Sequence, residues 1–474
     1  MKKQFNILLL TAVASLMLFS ACHKAEDAKI SPRLVVASNP ITSDTLSGSV
    51  NGTLLSGKTY YFASNITVNG GDTLKMQAGV TLIALGNGLT WQTAPEIIVH
   101  GTFISLGTQA QPNYITVSNA ATLHAQANAQ NYTNVFQGWW GGIFAEPGPV
   151  TAKDPTPAGG DVVIKWTHLE FAGGPSGPSD DAAVYSPQGS PRWTIYFANI
   201  KKNFVLEDSW VFGSRDDAMR LAGGHVNIMR NTYELDGVAA GEACNIKSGT
   251  VGDVAYNVII GAATNAFKIS DAGTTGIQCN INCYNNTIVS CGWRQSSTSG
   301  HGGSIDVEKA AKSHIYNNMI INCDVGLRIL TTADTANTKF NNQLFYGYNQ
   351  AIVNTFYALD GENKGNVKLQ QKSGDILSTT PQANNPMFSF FDVNAYNYTT
   401  YPAPTTANKQ TPLITMAGAS SFHITSTSPA YGKGTTTASP PYNNVTTTGA
   451  YAPIVTPPGV DLGAYQSNGS GNQH

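Results

Sequence analysis

A row of charged and amide side chains recurs at one position of a repeated segment: Arg220, Asn245, Lys268, Asp306 and Arg328, with Lys247, Ser270 and Glu308 two positions further on. Arg215, Asp216, Asp217, Asp271 and Lys309 flank the row. Equivalent positions repeated along one axis suit a chain-like ligand, so a polysaccharide is the expected partner. Arg220, Lys268 and Arg328 are cations that could hold a uronate carboxylate. Elimination from a uronic acid also needs a base for the C5 proton, and desolvation depresses a lysine pKa enough for that role. Lys268 is the expected base, with Asp306 and Arg328 as its catalytic companions and Arg220, Asn245, Lys247 and Glu308 as substrate-binding side chains. A glycoside hydrolase instead needs two carboxyls roughly 5 to 9.5 Å apart, for which Asp306 with Asp271, or Asp216 with Asp217, are available. A plainer account is that alternating charges keep an exposed face soluble and pair across it, each pair contributing about 0–1 kcal/mol. Three classes therefore stand: a glycan-processing enzyme (polysaccharide lyase or glycoside hydrolase), a glycan-binding protein, and a structural or adhesive protein.

Other residue types carry weaker signals. His225 and His301 lie near glycine pairs and read as turn residues. Trp139, Trp140, Trp166, Trp210 and Trp293 could stack on sugar rings, yet a large aromatic beside glycine-rich turns more often seals an edge. No cofactor is called for: Asp216–Asp217 could touch calcium, but no set of about six to eight oxygens is visible, and the cysteines lack the paired spacing of a zinc site. Cys244, Cys279, Cys283, Cys291 and Cys323 are compatible with either a thiol ladder or disulfides.

The elements that position the row come from a repeat. Val205–Val211, Asn227–Tyr233, Val254–Ile259, Cys283–Val289, Ile315–Ile321 and Lys339–Phe345 share a polar turn pair between short β-prone stretches. With Ser209, Asn231, Asn257, Asn286, Asn318 and Asn342 taken as equivalent, the offsets are 22, 26, 29, 32 and 24 residues. Each unit is one coil of about three short strands, and coils stack at ~4.8 Å. Asn at the bend tolerates left-handed backbone angles and its amide can bond the coils above and below. Downstream of each bend, Met219/Leu221, Cys244/Ile246, Phe267/Ile269, Ile305/Val307 and Leu327/Ile329 alternate with the polar row and should point inward. The expected fold is all-β: a single-stranded parallel β-helix, right-handed by the preference of parallel crossovers, with an irregular C-terminal cap.

Gly70–Leu74, Ala78–Ile83, Gly107-Thr108, Pro112–Val117 and Trp140–Ile143 resemble the opening coils of right-handed parallel β-helix lipoproteins of the Bacteroidota. Asn385–Phe388, Ser428–Gly434 and Asp461–Tyr465 resemble the closing segment of pectin-lyase-like β-helix proteins. The resemblance covers most of 45–466 and implies the fold without a catalytic motif.

Lys2 and Lys3, an apolar run from Ile7 to Phe19 too short to span a bilayer, and Ser20-Ala21 before Cys22 read as a secretory signal. They resemble a lipobox, which implies cleavage before Cys22, lipidation of its thiol and amine, and an outer-membrane lipoprotein held by an N-terminal lipid anchor. His23–Asp27 resembles a tether that directs export to the cell surface. The expected segments are a signal peptide at 1–21, a tether at 22–43, the β-helix at 44–359 and a closing segment at 360–474. Composition agrees with a folded, turn-rich β protein: 41% hydrophobic, 12% charged and 47 glycines. Lys+Arg 27 against Asp+Glu 29 gives a net charge of −2, too little positive field to make nucleic acid an expected partner.

Overall fold

A computed structural model describes residues 39–129, 131–150, 155–178, 180, 184–185, 187–238, 240–294, 302–357, 369–394 and 422–472. The lipidation candidate Cys22 and His301 lie outside them. Every pairing between named strands is parallel, and the strands form three ladders. The first face has ten strands, from Gly52–Leu54 to Lys339–Asn341. The second runs from Thr45–Ser49 to Ile376–Leu377. The third runs from the end of Thr59–Val68 through Glu96–Val99, Gly142–Ala145, Ile195–Phe197, Met219–Leu221, Cys244–Ile246, Phe267–Ser270 and Ile305–Glu308 to Leu327–Ile329. Each coil visits the three faces in order, so the chain is a parallel β-helix solenoid. The longest helix among the described residues, Ala120–Asn128, is an insertion between the second and third faces of one coil. Among the described residues no helix is long and apolar enough to cross a membrane.

The bend between the first and second faces shows why the repeat exists. The Ser209 amide donates to Asn231 Oδ1 at 3.0 Å, Asn231 to Asn257 at 3.0 Å, Asn257 to Asn286 at 3.0 Å, and Asn286 to Asn318 at 2.9 Å. The column continues through Gln343, whose Oε1 takes the Asn318 amide at 3.1 Å, and ends on Asp375, whose Oδ1 takes the Gln343 amide at 2.8 Å. Buried backbone donors at a bend have no strand partner, and this column satisfies them one coil at a time. Two expectations need correction. The residue equivalent to Asn318 is Gln343, not Asn342. Left-handed backbone belongs to the residue before the ladder position, at Asp208, Arg230, Tyr256, Asn285, Asn317 and Asn342, with φ between 50° and 59°. The two properties for which Asn was invoked are thus divided between neighbouring positions.

The inward side chains of the third face behave as the alternation requires: Met219, Leu221, Cys244, Ile246, Phe267, Ile269, Ile305, Val307, Leu327 and Ile329 are all buried in one core. The five described cysteines are free and buried, and Cys291 and Cys323 follow the stacked left-handed residues Ser290 and Asn322 of adjacent coils. His225 sits in the first-face strand Gly224–Met229, rather than in a turn.

The C-terminal segment does more than close an end. It descends the outer side of the first face, contacting Asn317 through Thr435, Asn282 through Pro440, Asp253 through the Tyr442 and Asn443 amides, and Asn203 through Thr446. It then climbs back. The Ile454 carbonyl accepts from Arg230, the Thr456 carbonyl from Tyr284, the Asp461 carbonyl from Asn285, and the Gly463 amide donates to the Asn317 carbonyl. Leu462, Ala464 and Tyr465 pack on Val258, Ile260, Val289 and Met319, outward residues of the second face. The segment is a doubled strap along two sides of the solenoid.

Candidate functional site

The register joins the whole predicted row on the third face: Arg220 beside Asn245, Asn245 beside Lys268, Lys268 beside Asp306, and Asp306 beside Arg328, with Ser270 beside Glu308. The row is not the solvated stripe that outward alternation suggested. Asn245, Asp306 and Arg328 are 2%, 0% and 5% exposed, and the Lys268 side chain is 14% exposed. Charges so far from water need partners, and they find them in one another. Arg328 grips Asp306 through two bonds, Nε to Oδ1 at 3.1 Å and Nη2 to Oδ2 at 2.6 Å. Lys268 Nζ lies 3.8 Å from Glu242 and 3.7 Å from Glu308. Arg220 Nε lies 3.5 Å from Asp217 and its guanidinium covers the Trp193 ring at 4.0 Å.

These partners reassign the roles. Burial alone would lower the Lys268 pKa, but Glu242, Glu308, Asp306 and Asp217 together raise it, so Lys268 is held as a cation and is a poor base. The lysine whose pKa falls is Lys247, to about 8, because burial and then the neighbouring Lys268 and Arg220 oppose its charge. Burial raises Asp306 against the pull of Arg328. Asp306 is unsuited to an acid/base pair with Asp271, because it is fully buried and both its oxygens are committed to Arg328.

Three carboxyls gather instead where the strand Met219–Leu221 begins. Asp217 accepts the Glu242 amide at 2.9 Å and Asn245 Nδ2 at 2.8 Å. Burial would raise its pKa; the Glu242 carboxyl, Arg220 and these donors outweigh that and lower it. Glu242 is pushed well up by burial and by Asp217, so it carries the proton of that pair. Asp216 rises to about 7, first through burial and then through Asp217. One ionised carboxylate beside carboxyls that keep their protons is the divided protonation expected of acid and base partners.

Asp216 also lines an open cleft of about 1170 Å³ at the corner between the second and third faces. Five successive coils supply its lining from corner loops: Gly88–Gln92, then Thr133–Gln137, then residues around Pro175 and Gln188, then Arg215-Asp216, then Val238 and Ala240. Four steps of ~4.8 Å make this corner about 19 Å long. Glycines allow the loops to stack. A Cβ on Gly138 (φ +70°) would meet the Gly173 carbonyl carbon at 2.5 Å. The wall is held by Arg192, which donates to Asp180 at 3.0 and 3.1 Å and to the Pro175 carbonyl at 2.7 Å, and lies 3.5 Å from Glu96. Burial raises Glu96 to about 8 against the pull of Arg192.

Family models, curated proteins and solved structures return no match to this chain. The site is therefore read from its own geometry. The sequence offered Asp216 with Asp217 as one possible hydrolase pair, Lys247 as a substrate-binding side chain and Arg215 as a flank of the row, and missed Leu89, Trp91, Gln92 and Gln188, whose loops differ in length from coil to coil. Of the tryptophans it singled out, Trp140 is sealed in the core, Trp139 and Trp293 pack against it, and Trp166 and Trp210 stand half-buried 6.1 Å apart by the second face. Among the described residues no group of three or more His, Cys, Asp or Glu is placed to hold a metal ion.

Proposed function

We propose that the protein binds a polysaccharide along the corner cleft, as a surface lipoprotein whose solenoid is of the right-handed, pectin-lyase-like kind resembling those of the Bacteroidota. The observation that carries this reading is the cleft itself: an open channel lined by the corner loops of five stacked coils extends along the stacking direction, the shape an extended glycan requires. The lipid anchor rests on Cys22 and its preceding residues, and Cys22→Ala should release the processed protein from the membrane fraction.

Glycoside hydrolysis is the second reading, favoured by the split between protonated Asp216 and ionised Asp217. Uronate elimination loses its expected base, since Lys268 is held as a cation. The test is retention of the protein on a panel of immobilised polysaccharides, followed by a reducing-end assay. Retention without reducing ends establishes a binder. New reducing ends that vanish in Asp216→Asn establish hydrolysis, and absence of retention on every polysaccharide rejects the proposal in favour of a structural or adhesive role.

A further inference from the structure

We infer that the polysaccharide is neutral, its sugars bearing hydroxyls and no carboxylate or sulfate; this rests on the cleft reading above and adds the chemistry of the ligand. Among the described lining residues the ionisable side chains are Arg215 and Asp216; with Asp216 raised to about 7 the cleft carries at most one net positive charge, on a guanidinium that already donates to the Gln137 carbonyl at 3.3 Å, a weak field for an anionic chain. Three cations along the third face are already matched, and a fourth, Lys247, is pushed towards its neutral form by burial and by Lys268 and Arg220. Arg220 faces Asp217, Lys268 faces Glu242 and Glu308, and Arg328 is held by both oxygens of Asp306. A uronate would have to break one of these pairs and leave a buried carboxylate uncompensated, a cost that a hydroxyl does not incur.

What the cleft does offer suits hydroxyls and apolar sugar faces. Gln92 and Gln188 are exposed at the lining, and an amide both donates and accepts, as a sugar hydroxyl does. Trp91 supplies the flat surface. It lies close against Gly177, where an added Cβ would come within 2.6 Å of the indole, so the ring is braced from behind while it lines the cleft. A braced aromatic loses little freedom when a sugar ring packs on it.

The experiment is calorimetric titration of the purified protein with β-glucan, xylan and mannan oligosaccharides, and with galacturonate and alginate oligosaccharides, at low and high salt. A neutral oligosaccharide should bind with an affinity that changes less than about twofold on raising salt, and at least about tenfold tighter than either uronate series. Trp91→Ala should weaken that binding about tenfold. Gln188→Ala, an exposed change that leaves the fold intact, should weaken it severalfold with an unchanged melting temperature. Uronate oligosaccharides that bind as tightly, with affinity falling steeply in salt, would overturn the neutral assignment and leave the polysaccharide reading standing. Full affinity in both variants would place the sugar elsewhere and overturn the inference. If no oligosaccharide of either class binds, the polysaccharide reading falls with it.

Discussion

The first and third faces both carry buried charge, but they satisfy it differently. On the first face the ion pairs Arg230–Asp208 and Lys165–Glu207, and the tyrosines, are additionally fastened to backbone of the C-terminal strap: Arg230 reaches the Ile454 carbonyl at 2.8 Å, the Ile454 amide reaches Glu207 at 2.6 Å, and Tyr316 reaches the Ser439 carbonyl at 2.8 Å. On the third face the charged groups close mainly on one another, side chain to side chain. A carbonyl or amide of the strap has a fixed polarity and does not titrate. Side chains paired with side chains can exchange protons and partners. The face held by strap backbone is therefore structural, and the face that answers to itself is where Asp216 and Lys247 acquire pKa values near neutrality.

Breaking the first face should have the largest effect. Arg230→Ala removes the bidentate partner of Asp208, at 2.7 and 3.0 Å, and the nearby compensation of Glu207, while releasing the strap. A loss of about 4 kcal/mol in urea denaturation is expected, because carboxylates are left buried without their cation. Arg328→Ala should cost less, about 3 kcal/mol. Asp306 there loses its bidentate partner and keeps only the weaker pull of Lys268, and its pKa is already raised by burial, so it can take up a proton. The deficit should shrink as pH is lowered towards the usual carboxylate range, and a deficit independent of pH would contradict this assignment. Replacing Lys268 and Arg328 together with alanine is accordingly a destabilising change, contrary to the small effect expected of solvated charges.

The smallest effect sharpens the third face alone. The Asp216 carboxyl has a folded pKa of about 7 against 3.8, so the native state holds its proton longer than the unfolded chain does. Its contribution favours the native state at low pH and is lost as pH rises from about 4 to about 7. Asp216→Asn should flatten that part of the stability profile measured by thermal melts. An unchanged profile would mean that Asp216 titrates as an ordinary exposed carboxyl.

The fold was legible because stacking leaves a mark at every coil. The Asn column from Asn231 to Asn318 is written in the sequence at intervals a solenoid permits, and the alternation around Lys268 correctly separated Phe267 and Ile269 from the outside. It failed at Gln343 and Asp375, where a different side chain supplies the same acceptor oxygen, so that chemistry persisted while residue type changed. The row itself was read correctly as a row but wrongly as solvated. Alternation gives direction only; whether an outward group meets water depends on what crosses over it. The cleft was the least legible part. Its loops range from the two-residue Arg215-Asp216 contribution to the long excursion around Pro175 and Gln188, and nothing periodic in the sequence marks Trp91 as their neighbour.

The strap also sets an order of events in time. Coil stacking links residues a few tens apart, as in the 22-residue step from Ser209 to Asn231, and such contacts can form while the chain is still being made. The strap's bonds join residues 224 positions apart, as between Arg230 and Ile454, and 243 apart, as between Asn203 and Thr446. Arg230, Asp208 and Glu207 must therefore wait for the final tenth of the polypeptide before they lose their water. A nascent molecule halted before that point would carry a stacked solenoid with one side unfastened, and its last fifty residues would act as the lock on a structure already assembled.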